Sequence, residues 1–185
     1  MPPRIIPAHP NRVLAFFPHR RVTGRAALDG PTLVPRSFAS LDMRHAHAAT
    51  DAHLELLVAR SIERFRPALV AIGVLGPEPD DVVLARAAER VVRHFGIETV
   101  VIDTRLAARL LVDACAAEGY DQLGQAVARH VPELASHVLP AKSEFARNLR
   151  RRRSFAWKAS VAALAAANIA DLHETRLSLG SAPRV

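Results

Sequence analysis

Two mainly apolar runs, each next to a segment with helical spacing, constrain the fold of this chain more than any other feature. The runs are Ala68–Leu75 and Ile97–Asp103. Between them, Val82–Phe95 repeats its apolar residues about every 3.6 positions, and Gly96 follows where helix C-caps favour glycine. A similar amphipathic segment runs from about Thr50 to Phe65. Because parallel strands need a helical crossover between them, this alternation predicts parallel α/β packing.

The N-terminal third has shorter apolar runs separated by turn sequences. Residues 1–11 contain four prolines and are predicted to form an irregular arm. Asp29-Gly30 is a common hairpin turn, and the polar, histidine-rich stretch from Ser40 to Asp51 is predicted to be a loop. The three strands predicted for this antiparallel meander are Arg12–Phe17, Val22–Leu28 and Thr32–Val34.

The C-terminal half is predicted to be mainly helical. Thr104 to Ala117 continues as a helix with Thr104 as its cap, and Tyr120 to Val131 forms another. A final helix runs from about Phe155 to His173. Residues 175–185 are predicted to be a frayed tail. The resulting order is a meander followed by alternating helices and strands, which on periodicity alone predicts a mixed α/β domain.

The basic residues of this chain are almost all arginine. The sequence has 25 Lys plus Arg, of which only Lys142 and Lys158 are lysine, and a formal net charge of +7. Arginine forks match the geometry of phosphate groups, so the bias is compatible with nucleic-acid contact. A GC-rich genome would raise the arginine content equally, and the total alone does not distinguish these explanations.

Several other site types and locations are disfavoured. Cys115 is the single cysteine, which excludes an internal disulfide. The longest run of low charge, residues 159–170, is too short to cross a membrane, and the proline-rich start does not resemble a signal peptide. We therefore expect a cytoplasmic protein with no membrane partner. The remaining candidates for a metal site are the histidines His45, His47 and His53, near Asp42 and Asp51. The histidines lack the i, i+4 spacing of a helical ligand pair, so we predict that they are solvated side chains.

The segment Phe17–Gly24 carries the most specific motif. Pro18, Thr23 and Gly24 stand at the spacing of the first active-site motif of the RuvC-type Holliday-junction resolvases, and the segment resembles it. In that family a metal-binding aspartate stands where this chain has Phe17. His19 likewise replaces a glycine of the family pattern.

The resemblance continues downstream in two weaker segments. Arg66–Gly73 is similar to the second motif, in which a glutamate stands at the position of Gly73. The segment from Phe155 to Ala167 resembles the closing helix, which normally begins with two aspartates one turn apart; none occurs here. The resemblance implies an α/β, RNase-H-like (RuvC-like) mixed five-stranded sheet flanked by helices. We place this domain at residues 12–174, with the arm and the tail outside it.

Loss of these carboxylates bears directly on activity. Phosphodiester cleavage with two metals needs several carboxylates to hold Mg²⁺ ions about 3.5–4 Å apart. We therefore expect a domain that is not an enzyme and that has no cofactor. The alternative is a structure-specific endodeoxyribonuclease whose Mg²⁺ ligands have moved. Asp103 is its best candidate, although an acid at a helix start is also favoured by the helix dipole. The full set of relocated candidates is Asp29, Asp80, Asp81, Asp103 and Asp113.

Two basic clusters are the predicted binding elements. Arg147, the run Arg150–Arg153 and Lys158 place six cations within twelve residues, with only Glu144 as a nearby acid. The second cluster lies in the first motif, and we expect both on one face of the domain. Trp157 could stack on a base but is predicted to be a core residue. The predicted nucleic-acid-binding residues are Arg20, Arg21, Thr23, Arg25, Arg150, Arg151, Arg152, Arg153 and Lys158.

The leading functional hypothesis is a catalytically inactive RuvC-like domain that binds nucleic acid, in the first place branched or duplex DNA, as a subunit of a DNA-processing assembly. It implies a protein partner in a larger complex, and the resemblance also implies a homodimer. The alternative outside this class is a protein–protein scaffold, a pseudo-nuclease whose arginines meet an acidic partner.

Overall fold

The computed structural model of the chain describes residues 7–19, 21–43, 50–75, 79–112, 120–138 and 153–168. The strands are β1 His9–Phe17, β2 Val22–Asp29, β3 Thr32–Leu33, β4 Ala39–Asp42, β5 Pro67–Val74 and β6 Glu98–Asp103. The helices are α1 Thr50–Phe65, α2 Pro79–His94, α3 Thr104–Val112 and α4 Tyr120–His130, followed by a 3-10 helix, Pro132–His137. Residues 153–168 are also helical and are called α5 here.

The strands form one mixed sheet with the order β3-β2-β1-β5-β6, and β4 pairs with the other half of β2. β1 is antiparallel to β2 and parallel to β5, which is parallel to β6. A meander followed by parallel strands with helical crossovers is the predicted architecture, so the predicted fold class is confirmed. The carboxyl ends of β1, β5 and β6 meet at one edge of the sheet, where sites commonly open in α/β proteins.

Each face of the sheet is covered by its own group of helices. Successive strand residues point to opposite faces, and β1 shows this directly. Ala15 and Phe17 pack into a core that includes residues of α3, α4 and α5. Leu14 and Phe16 pack into a second core formed with α1 and α2. We call these the α5 face and the α1 face. Within the described ranges, no helix has the length and apolar character needed to cross a bilayer.

Two predicted boundaries in the N-terminal third are wrong. β1 begins at His9, inside the predicted arm, and the backbone N–H of His9 donates to the carbonyl of Arg66 at 2.9 Å. The predicted loop from Ser40 contains most of β4, in which Leu41 pairs with Thr23. Both segments are polar or rich in proline, and they form strands because partners distant in the chain supply the hydrogen bonds.

The helix ends largely follow local sequence. Gly96 after α2 has a φ of +68°, as predicted for a C-cap. α2 begins at Pro79, earlier than predicted, since proline suits the first turn of a helix. Helix α5 includes residue 153, inside the basic run. Trp157 is only 4% exposed and packs within the α5-face core, which confirms the prediction of a core residue.

Candidate functional site

The three segments that carry the resemblance meet at the carboxyl ends of β1 and β5. These strands are neighbours in the sheet, and α5 covers them. A Cβ atom built on Gly73 would lie 3.1 Å from Cδ2 of Phe17, 2.8 Å from Cγ2 of Thr104 and 3.3 Å from Cβ of Ala162. The first motif, the second motif and the closing helix therefore converge on one point, at which position 73 has no room for a side chain.

Aromatic rings and an ammonium group occupy this point. The Nζ atom of Lys158 lies 4.9 Å from the ring centroid of Phe17 and 5.5 Å from that of Phe155. The rings of Phe17 and Phe155 are 6.0 Å apart, and the imidazole of His19 lies 4.9 Å from Phe155. An ammonium group near aromatic faces gains about 0.5–2 kcal/mol from the ring quadrupoles. We call Phe17, His19, Phe155 and Lys158 the Lys158 cluster.

Glycine at position 24 allows α5 to reach this position. A Cβ atom on Gly24 would overlap with the carbonyl group of Phe155 and would lie 2.7 Å from the backbone nitrogen of Ala156. The neighbouring backbone belongs to α5 and cannot move as a flexible side chain could. The Thr-Gly element that the sequence singled out thus has a structural purpose, because its glycine lets β2 and α5 touch.

The residues of the Lys158 cluster do not fit the Mg²⁺ site that the resemblance implies. Magnesium is held by oxygen ligands, chiefly carboxylates and water. The cluster offers two phenyl rings, an imidazole and an ammonium group whose positive charge repels a cation. Among the residues that the structure describes, no group of three or more His, Cys, Asp or Glu side chains could hold a metal ion.

Two of the acids proposed as relocated metal ligands, Asp29 and Asp103, have described side chains, and both form hydrogen bonds within the protein. The carboxylate of Asp29 pairs with Arg12 at 2.6 Å, near the far end of β1 from Phe17. Asp103 lies at the carboxyl end of β6, at the same edge of the sheet as Phe17. Its carboxylate, however, accepts hydrogen bonds from the backbone N–H groups of Arg105 at 2.9 Å and Leu106 at 3.2 Å. It is the N-cap of α3, as expected of an acid at a helix start. The side chains of the remaining candidates, Asp80, Asp81 and Asp113, lie outside the described residues.

Thr104 was predicted to cap α3, and this is wrong because Asp103 fills that position. The hydroxyl of Thr104 instead donates to the carbonyl of Val74 at 2.9 Å. That hydrogen bond ties α3 to the end of β5 and aims the Thr104 methyl group at Gly73. Thr104 and Phe155 are contributors to the site that sequence reasoning missed. A weak indication was available for Phe155, which stands one helical turn before Lys158.

Arg25 does not share the face of the Lys158 cluster, contrary to expectation. Its guanidinium lies on the α1 face, 4.9 Å from the ring centroid of Phe65. It donates to the hydroxyl of Ser61 at 3.2 Å and to the carbonyls of Ser37 at 3.1 Å and Arg36 at 3.2 Å. Burial, with a smaller contribution from the charge of Arg64, lowers the pKa of Arg25 to about 10. Arg25 is still a cation at neutral pH, held by bonds within the protein.

Of the other predicted binding residues, three lie in the described part of the chain and four lie outside it. Thr23 alternates with Gly24 and so points to the α1 face. It is fully buried, and its hydroxyl has no hydrogen-bond partner among the residues that the structure describes. Arg21 is exposed beside the cluster, and its backbone N–H donates to Nδ1 of His19 at 3.3 Å. The guanidinium of Arg153 donates to the carbonyl of His137 at 2.8 Å. The predicted residues that lie outside the described part of the chain are Arg20, Arg150, Arg151 and Arg152.

Comparison with known proteins finds similar structures but no similar sequence. No protein-family model matches the chain, and no curated protein matches it. The structure of Thermus thermophilus RuvC is similar at a TM-score of 0.55, with 12% identity over 84% of this chain and 97% of that one. T. thermophilus RuvC in complex with a Holliday junction substrate gives a TM-score of 0.54, with 13% identity over 82% and 96%. The chain therefore has a RuvC-like fold, as its motifs predict.

Proposed function

We propose that this chain is a catalytically inactive RuvC-like domain that binds branched or duplex DNA through its cationic side chains. One observation carries the proposal. Phe17, Gly73 and Lys158 meet at the point where the resemblance places metal-binding carboxylates. The ring of Phe17, the absent side chain of Gly73 and the ammonium group of Lys158 stand where a two-metal centre needs carboxylate ligands.

The packing of the site supports inactivity beyond the mere identity of these residues. Phe17 is fully buried, and Thr104 and Ala162 close the space around Gly73. A carboxylate at position 73 would have to displace neighbouring side chains, and at position 17 the buried ring of Phe17 occupies the space that a smaller carboxylate and its cation would need. The surroundings have thus adapted to the absence of ligands, since they fill the volume that ligands would need.

Charge and fold support DNA binding. The chain carries a formal net charge of +7, and neutralisation of phosphate charge supplies essentially all of the affinity in non-specific DNA binding and a large share in specific binding. Lys158 and Arg153 lie on α5, directly after the predicted basic cluster of residues 150–152. The similar T. thermophilus protein has been solved with a Holliday junction substrate. A DNA-processing assembly in the cytoplasm, with this chain as one subunit or as a homodimer, is the setting we propose.

Fluorescence anisotropy with a four-way junction, a linear duplex and a single strand tests the proposal. We expect tight binding of the junction or duplex that weakens steeply between about 50 and 200 mM salt. Incubation with Mg²⁺ should leave the DNA intact. The double variant Arg151→Glu/Arg152→Glu should weaken binding strongly. The matched double variant Arg60→Glu/Arg86→Glu, with the same change in charge on exposed residues of α1 and α2, should have the smaller effect.

Two results would contradict the proposal in different ways. If the protein binds none of these DNAs at low salt, the DNA-binding part is wrong and a protein–protein scaffold is favoured. If Mg²⁺-dependent cleavage occurs and disappears in Asp103→Asn, the inactive assignment is wrong. That second result would favour the endonuclease with relocated carboxylates.

A further inference from the structure

We propose that the ammonium group of Lys158 has taken the place of the metal ions as the charge that contacts a DNA phosphodiester group at the carboxyl end of β1. This inference rests on the proposed DNA-binding function and names the group that the site would recognise. Lys158 thereby becomes a binding residue within the former catalytic centre, whereas Arg150, Arg151 and Arg152 precede α5 in the sequence.

The contacts of Lys158 hold its charge in a defined position. Nζ lies near the faces of two rings, at 4.9 Å from Phe17 and 5.5 Å from Phe155. The ring of Phe17 is itself fixed, because it is fully buried against Gly73. A lysine on an open surface loses conformational freedom when it binds an anion. Here the folded protein has already restricted the side chain, so less entropy remains to be lost.

The position of the charge is as informative as its restraint. The ammonium stands beside Phe17, at the motif position where the resemblance has a metal-binding aspartate. Metal ions at such a centre neutralise phosphate oxygens and also activate water. An ammonium group can provide the first of these effects as a compact point charge, but it offers no coordination position for water. Lys158 therefore favours phosphate binding without hydrolysis, and it makes the binding independent of Mg²⁺.

The variant Lys158→Met tests the charge, because methionine keeps an unbranched apolar side chain on the rings. We expect its affinity for the four-way junction to fall about tenfold and the slope of log K against log salt to become shallower by about one. Lys158→Arg retains the charge and should retain most of the slope. Arg86→Met, which removes one exposed charge from α2, should change the slope far less. In the unchanged protein, EDTA at matched ionic strength should not weaken binding.

A second measurement does not depend on a substitution at Lys158. The chain has only two lysines, Lys142 and Lys158, so selective isotope labelling of lysine gives two side-chain signals, assigned with Lys142→Arg. Ring currents from Phe17 and Phe155 should shift the Lys158 signal upfield in the free protein. Addition of the junction should move that signal as the phosphate group approaches.

The outcomes separate the inference from the function on which it rests. A protein that binds no DNA overturns both proposals. If the unchanged protein binds the junction but Lys158→Met is folded and keeps its affinity and slope, only the inference is overturned. A Lys158 signal that stays in place when the protein is saturated with junction leads to the same conclusion, even if the methionine variant does not fold.

Discussion

Two cations of this domain lie over aromatic rings at the same distance, yet their surroundings differ. Arg25 is 4.9 Å from the ring centroid of Phe65, and Lys158 is 4.9 Å from that of Phe17. Arg25 lies on the α1 face and donates three hydrogen bonds to protein oxygens. Lys158 lies on the α5 face, where the three motif segments meet. The contact between cation and ring is therefore no sign of function by itself, and the role follows from the face and edge of the sheet.

The largest expected effect comes from removing the support of the Lys158 cluster. Gly24→Ala places a Cβ atom in the backbone of α5, and we expect it to lower the free energy of unfolding by about 3 kcal/mol, the upper range for overpacking. Urea denaturation measures this. Gly30→Asn is the control, since Gly30 has positive φ, which asparagine tolerates, and open space around its Cβ position. Equal stability of both variants would show that α5 does not depend on Gly24.

The variant Arg25→Met tests whether Arg25, unlike Lys158, stabilises the fold without contributing to DNA binding. Its loss leaves the carbonyls of Arg36 and Ser37 without their donor, so we expect a decrease of about 2 kcal/mol in the free energy of unfolding. The salt slope for DNA should stay the same in the folded variant. Lys158→Met should differ from Arg25→Met in the salt dependence, because its slope should become shallower. A shallower slope for Arg25→Met would support the predicted DNA-binding role of Arg25.

The closed space around Gly73 can be tested by a double-mutant cycle. Gly73→Ala brings a methyl group against Cγ2 of Thr104, and we expect a loss of about 1–2 kcal/mol. Thr104→Ser removes that Cγ2 atom and keeps the hydroxyl that donates to Val74. The double variant should recover about 1 kcal/mol of coupling energy, measured by denaturation. Strict additivity would mean that Thr104 does not close the space, and a Gly73→Ala variant as stable as the unchanged protein would mean that position 73 has room for a side chain.

The smallest expected effect is a pH dependence near the start of α5. Burial, and secondarily the charge of Arg153, lower the pKa of His137 from its ordinary value of 6.5. The unfolded chain therefore binds a proton at higher pH than the folded one, and stability should fall as pH drops below about 6.5 towards the folded pKa. Urea unfolding between about pH 5 and 7 should show a shallower fall for His137→Gln. A smaller flattening in Arg153→Met would identify the contribution of the charge.

Local sequence was sufficient where an element's own residues specify it. The helix Thr50–Phe65 and the strands around Val70 and Val100 follow their apolar spacing, because burial of one face is visible in the periodicity. It was insufficient for β4 and for the start of β1 at His9. Those segments are polar or contain proline, and they are strands only because β2 and β5 pair with them.

The sequence by itself determined the class of fold and showed no carboxylate at Phe17, at Gly73 or at the start of the closing helix, where the resemblance has them. It also predicted a basic protein with a core tryptophan. Only the tertiary structure decided which cations stand beside Phe17 and Gly73. Arg25 and Gly24 are adjacent in the chain, yet strand alternation sends Arg25 to the opposite face. Lys158 reaches Phe17 because α5 packs on β2 at Gly24, a contact between segments far apart in the chain that no local pattern encodes.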